Sequence, residues 1–108
     1  MTNEMEKSGL QPLTEIDKVI HEPARLLILA YLYVVESADF LFIMNQTGLT
    51  RGNLSSHLSK LEAAGYVEIN KEFVKKIPRT LLQLTKGGRI AFQDYRQNMM
   101  QVLDNLPE

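Results

Sequence analysis

Between Leu49 and Val67 the chain reads LTRGNLSSHLSKLEAAGYV. The side chains of this stretch suit one kind of chemistry, hydrogen bonding and charge pairing at close range. Thr50 is of the N-cap type, its hydroxyl able to accept from an otherwise unpaired amide of the first turn. Leu54, Leu58 and Leu61 then recur at spacings of four and three, which sets them in one stripe of a helix. At about 100° per residue, Gly52, Ser56, Ser59 and Ala63 point away from that stripe, with Arg51, Asn53, Ser55 and Lys60 on its flanks. The outward face is short and hydrogen-bonding, and no carboxylate precedes Glu62. Such a face can lie close against a groove of a nucleic-acid duplex, where bulky or acidic residues would hold it off. A helix that is merely solvated on its Ser-rich side would look the same, so its neighbours decide.

Other chemistries lack their residues. His21 and His57 fall in different elements, with no carboxylate pattern of metal-ligand spacing around them. Gly87-Gly88 is a lone pair and not a phosphate loop, and chain order supplies no Ser, His and acid arrangement. The chain is therefore expected to be no enzyme and to carry no cofactor or metal. There is no cysteine, which excludes disulfides and thiolate metal sites and leaves a cytoplasmic protein as the default. No window reaches the length of a membrane span. The formal net charge is −1 over 108 residues, yet residues 51–89 hold eight basic and three acidic side chains. Positive charge thus gathers around the polar helix, as in proteins that contact phosphate backbones.

The elements that would position these residues follow in order. Residues 1–11 are polar and without apolar period, and are expected to be a poorly ordered tail; residues 12–108 form one domain. Leu13, Ile16, Val19 and Ile20 read as a short helix, with Thr14 as a cap. Pro23 suits the first position of a second helix running to about Glu36. From Leu26 to Val35 every residue is apolar or Tyr, which predicts a central helix covered on most sides. Arg25 on its first turn could reach a phosphate or form a structural ion pair. Phe40, Leu41, Ile43 and Met44 build a third helix, after a strand of about one or two residues, and Thr47-Gly48 ends it. Gly48-Leu49 leaves room only for a tight turn, so residues 39–65 read as a helix-turn-helix. Gly65 closes it in the left-handed conformation.

Beyond Gly65 the period becomes that of a strand, with Val67 and Ile69 alternating with polar residues. Thr80–Leu84 reads as the return strand, Leu82 and Leu84 inward. Phe73–Arg79 is the expected connection, carrying Lys75, Lys76 and Arg79, with Pro78 at an edge or loop. Residues 66–85 would then form a two-stranded wing with a basic tip. From Thr85 a last helix spans about 86–106, with Phe92, Tyr95, Met99, Val102 and Leu106 at coiled-coil spacing. That seam calls for a partner, the N-terminal helix or another copy of the chain. A symmetric homodimer through Leu13, Ile16, Ile20, Phe92, Tyr95, Met99, Val102 and Leu106 is expected; the alternative is a monomer with this helix folded back.

The run Leu49–Leu58, then Leu61–Val67, resembles the winged-helix transcriptional regulators of the MarR/ArsR-like group, and more narrowly their small winged helix DNA-binding domain proteins. The likeness continues through Pro78-Arg79-Thr80, Leu84-Thr85, Gly88 and Ala91-Phe92, includes Pro23–Leu26, and covers about residues 13–96. It implies an α+β, mostly helical fold and a dimeric regulator binding double-stranded DNA, with residues 50–64 in the major groove and the wing on the backbone or minor groove. Ser56 departs from the arginine frequent in relatives. The metal sensors of the group use cysteines, so thiolate sensing does not carry over. On this reading Arg51, Asn53 and Ser56 reach base edges or nearby phosphates, while Ser55, Ser59 and Lys60 hold phosphates. Lys75, Lys76 and Arg79 supply the wing's charge, and Thr50 caps first and touches phosphate second. His57 reads as a helix-packing histidine. A small-molecule effector would be sought between the terminal helices and the central helix. The competing reading is a winged helix that binds protein instead of DNA; the polar helix and wing argue against it, since protein contacts favour aromatic or Met anchors.

Overall fold

The computed structural model describes residues 10–108, Gln11 without its side chain. The expected tail, residues 1–11, lies outside the described residues except for its last two, and Gln11 already opens a 3-10 helix, Gln11–Glu15. The helix expected over Leu13–Ile20 does not form. Ile16 is extended, and the Asp17 carboxylate accepts from the amides of Val19 (2.9 Å) and Ile20 (3.2 Å). A side chain that captures the amides two and three residues on offers the backbone a turn in place of a helical ladder.

Helix α1, Pro23–Val35, begins where proline costs no hydrogen bond, and Glu22 caps it by accepting from Ala24 and Arg25. Its buried stripe is Ile28, Leu29 and Leu32. Its opposite side is not covered, contrary to expectation: Val34 is 80% exposed, and Leu27 and Val35 are also open to solvent. Strand β1, Ser37–Asp39, leads into α2, Phe40–Thr47, which Asp39 caps through Leu41. Gly48 ends α2 at φ +73°, where a side chain would be strained. Leu49 fills the angle against the core, and α3, Arg51–Ala63, follows.

Strands β2, Val67–Val74, and β3, Ile77–Leu84, pair antiparallel, and β1 adds to the far side of β3 through Ala38 opposite Leu82. The fold is thus four helices with a three-stranded sheet of order β1-β3-β2, a winged helix. The expected loop 73–79 shrinks to Lys75-Lys76, with φ +51° and +68°. Positive φ at both central residues is the type I′ geometry, whose twist matches that of the flanking strands. Pro78 sits within β3, opposite Phe73, past the reach of β1. Val74 and Ile77 flank the turn and exchange its closing bonds, so the Phe73–Pro78 pair turns its amide positions outward and no ladder bond is lost.

Helix α4, Lys86–Asp104, starts at Thr85, whose hydroxyl accepts from Gly88 at 2.9 Å. Gly88 has no substitute there, because a Cβ would stand 2.2 Å from the Tyr66 carbonyl oxygen. The core joins α1, α2 and α3 to the sheet and takes in Tyr95 of α4. Beyond Tyr95, α4 packs along the N-terminal 3-10 helix.

Candidate nucleic-acid interface

Helix α3 is held from behind and left open in front. Leu54, Leu58 and Leu61 are buried, while Arg51, Gly52, Asn53, Ser55, Ser56, Ser59 and Lys60 are all exposed. Thr50 caps the helix, accepting from Asn53 at 3.2 Å. The sequence therefore places its Leu stripe and its polar face where the periodicity puts them.

His57 lies at the margin of the stripe and faces the body. Its Nδ1 is 3.2 Å from Arg25 Nη1 and 3.5 Å from Glu22 Oε2. Arg25 also donates through Nε to the Val19 carbonyl, so it belongs to this bracket between α1 and α3 and is not a phosphate ligand. Burial pushes the Glu22 carboxyl up, but the Arg25 and Ala24 amides, with His57 and Arg25 nearby, bring it below its ordinary value. At the far end of α3 the Tyr66 hydroxyl donates to Asp17 Oδ2. Burial first, then that bond and the Asp17 charge, push the Tyr66 hydroxyl up to about 12. Two polar contacts thus fasten the N-terminal segment to the back of α3.

A groove of about 410 Å³ runs between the wing and the start of α2, with Arg51 of α3 at its side. Arg51, Phe40, Leu41 and Asp39 line one wall, and Lys71, Glu72, Phe73, Pro78, Arg79 and Thr80 the other, so two carboxylates stand among its cations. A second hollow of about 320 Å³ brings Ser55 and Ser59 together with Arg51 and Lys71. Arg51 carries its guanidinium 5.4 Å from the centroid of Phe40, which steadies a long side chain at the mouth of the groove. Lys71 is a residue that sequence reasoning misses, because it falls inside a strand. Its signal is the alternation itself: Lys71 shares a face with Ile69 and pairs with Thr80, where the sheet leaves the core.

Arg79 departs from expectation. It lies on β3 opposite Glu72, well behind the turn, and its Nε donates to Asp39 Oδ2 at 3.2 Å. The cap of α2 therefore holds a charge expected at the tip. Lys75 and Lys76 do occupy the turn and are exposed.

The terminal seam is also revised. Ile20 and Tyr95 are enclosed in the chain's own core, and Val102 is buried, so these three have no surface to offer a second copy. Tyr95 instead holds His21 Nδ1 at 2.9 Å, and burial pushes its hydroxyl above the usual range. Phe92, Met99 and Ile16 are half-buried against the same core. Of the expected seam, Leu13 and Leu106 are left open, and Ile90, Met100 and Leu103 of α4 are exposed besides. No helix among the described residues is long and apolar enough to cross a membrane.

A profile of the "Winged helix DNA-binding domain" family matches residues 24–103. An uncharacterized protein from Methanocaldococcus jannaschii is 37% identical over 89 residues, covering 82% of this chain and 97% of its own. The structure of a transcriptional regulator homologue from Pyrococcus horikoshii superposes with a TM-score of 0.85 at 32% identity, covering 91% of this chain and 99% of that one. Reduced AbfR bound to DNA superposes at 0.64 with 21% identity, over 96% of this chain and 67% of that one, a likeness of fold alone.

Proposed function

Because the chain belongs to the winged helix DNA-binding domain family, we propose that it is a cytoplasmic, sequence-specific regulator of transcription that binds double-stranded DNA as a homodimer. The observation that carries this reading is the open, short-chained front of α3 beside the hairpin, where Arg51, Ser55 and Ser59 share one hollow with Lys71. Helix α3 enters the major groove, with Arg51, Asn53 and Ser56 toward base edges and Ser55, Ser59 and Lys60 toward phosphates. Lys71 joins Arg51 on the strand of backbone that must pass between helix and wing. Lys75 and Lys76 lie along the neighbouring minor groove. Arg79, held by Asp39 through Nε, keeps its outer nitrogens for a phosphate.

The second copy is met through the exposed apolar residues Leu13, Met100, Leu103 and Leu106, assisted by the half-buried Phe92 and Met99. Two α3 helices then stand roughly 34 Å apart and read an inverted repeat.

Titration of a duplex with the purified protein across a salt series tests the reading. Affinity should fall steeply with salt. A Lys75→Ala/Lys76→Ala variant should lower the slope by about one for each phosphate it no longer neutralises. Failure to bind any duplex at low salt would leave a protein-binding winged helix as the surviving account.

A further inference from the structure

The end of the wing is not simply basic. The last two cross-strand pairs before the turn are Val74 with Ile77 and Phe73 with Pro78. Side chains alternate between the two faces of a hairpin, so one pair lies on each face. All four are exposed; Phe73 is 75% and Ile77 66% open to solvent. The hairpin is thus apolar on both flat sides over its outer end and positively charged only at its edge. The edge itself is unusual. Asn and Gly suit a type I′ turn, yet two lysines stand there at positive φ.

We propose that this tip is a wedge that enters and widens the minor groove beside the site read by α3, so that the protein selects DNA by its deformability. The inference rests on the DNA-binding reading above. The chemistry of the tip matches the cross-section of the groove. The groove floor presents acceptors and a negative potential, which suits Lys75 and Lys76. Its walls are sugar rings, whose C–H surfaces suit Phe73, Val74, Ile77 and Pro78. Size supplies the rest. A sheet with side chains on both faces is roughly 10 Å thick, as the spacing of packed sheets shows, whereas the minor groove of B-DNA is about 6 Å wide. The lysines alone could enter an undeformed groove. The apolar pairs behind them cannot follow unless it opens. Opening a groove is easier at TA and CA steps than in stiff, narrow A-tracts.

The experiment uses the full chain and a duplex recovered by selection with it, whose segments under the wings are replaced by either alternating TA steps or an A-tract. Binding to the selected duplex before replacement tests the underlying reading separately. The wild type should prefer the TA-flanked duplex by about tenfold, the order expected of sequence-dependent deformation. A Phe73→Thr/Ile77→Thr variant keeps strand-forming residues while removing the apolar bulk. It should bind both duplexes within about twofold of each other and keep the wild-type salt slope, which reports lysines still in place. A Lys75→Ala/Lys76→Ala variant should bind more weakly but retain the preference. Equal binding by the wild type, a preference for the A-tract, or a preference undiminished in the threonine variant would each overturn the wedge.

Discussion

Helices α1 and α3 are both 13 residues long and each buries three apolar side chains in the same core. They differ in what they turn outward. α3 shows Ser, Asn, Arg and Lys, whereas α1 shows Leu27, Val34 and Val35, with Phe42 of α2 alongside in one apolar hollow. Burial on the inner side is the demand common to both, and it accounts for neither outer side. The outer residues are therefore where the two helices differ, and on α3 they include no carboxylate before Glu62.

Substitutions on the two helices would break or sharpen this contrast. Leu58→Ala, on the inner side of α3, should cost about 2–5 kcal/mol by urea unfolding, while Val34→Ala on the outer side of α1 should stay within about 0.5 kcal/mol. Comparable destabilisation at the two positions would show that the outer side of α1 is covered. A carboxylate on the front of α3, Ser56→Glu, should leave the unfolding midpoint unchanged and weaken duplex binding about 100-fold at low salt, because like charges at an interface cost several kcal/mol. The same charge at Val34 should leave duplex affinity within about twofold.

Thr50→Ala should cost about 1 kcal/mol by loss of the cap. A smaller change in stability than in DNA affinity would give Thr50 a phosphate contact besides. The smallest effect concerns Glu22. Its folded pKa lies below the ordinary carboxyl value of 4.5, so its charge contributes stability above that value and loses it as pH falls through the folded pKa. Glu22→Gln should therefore be the less stable protein at pH 7, and the gap should close as the pH is lowered through the folded pKa. A gap that persists in acid would assign the contribution to shape instead of charge.

What is legible in the sequence follows from repetition and end signals. The Leu stripe, Thr50, Gly65 and the helix-turn-helix stand where expected, as does Thr85 at the head of α4. What stays hidden depends on partners far along the chain. Nothing local reveals that Asp17 receives Tyr66, or that Asp39 takes Arg79 from the wing. The turn at Lys75-Lys76 is set by the register of β2 on β3, and its residues argue against it. In α1 an unbroken apolar run carries no period, so it cannot say which side is left bare. Lys71 escapes notice because a strand declares itself through its apolar members alone.

The junction at Gly88 has a mechanical consequence. The Tyr66 carbonyl rests against the first turn of α4 with no space for a methyl group, and it also accepts from the Thr85 amide, while the Thr85 hydroxyl donates to the Gly65 carbonyl. No slack remains between the exit of α3 and the root of the long terminal helix. The exit of α3 and the root of α4 are therefore one packed joint, and a Gly88→Ala substitution, which has no room for its methyl group, should displace both.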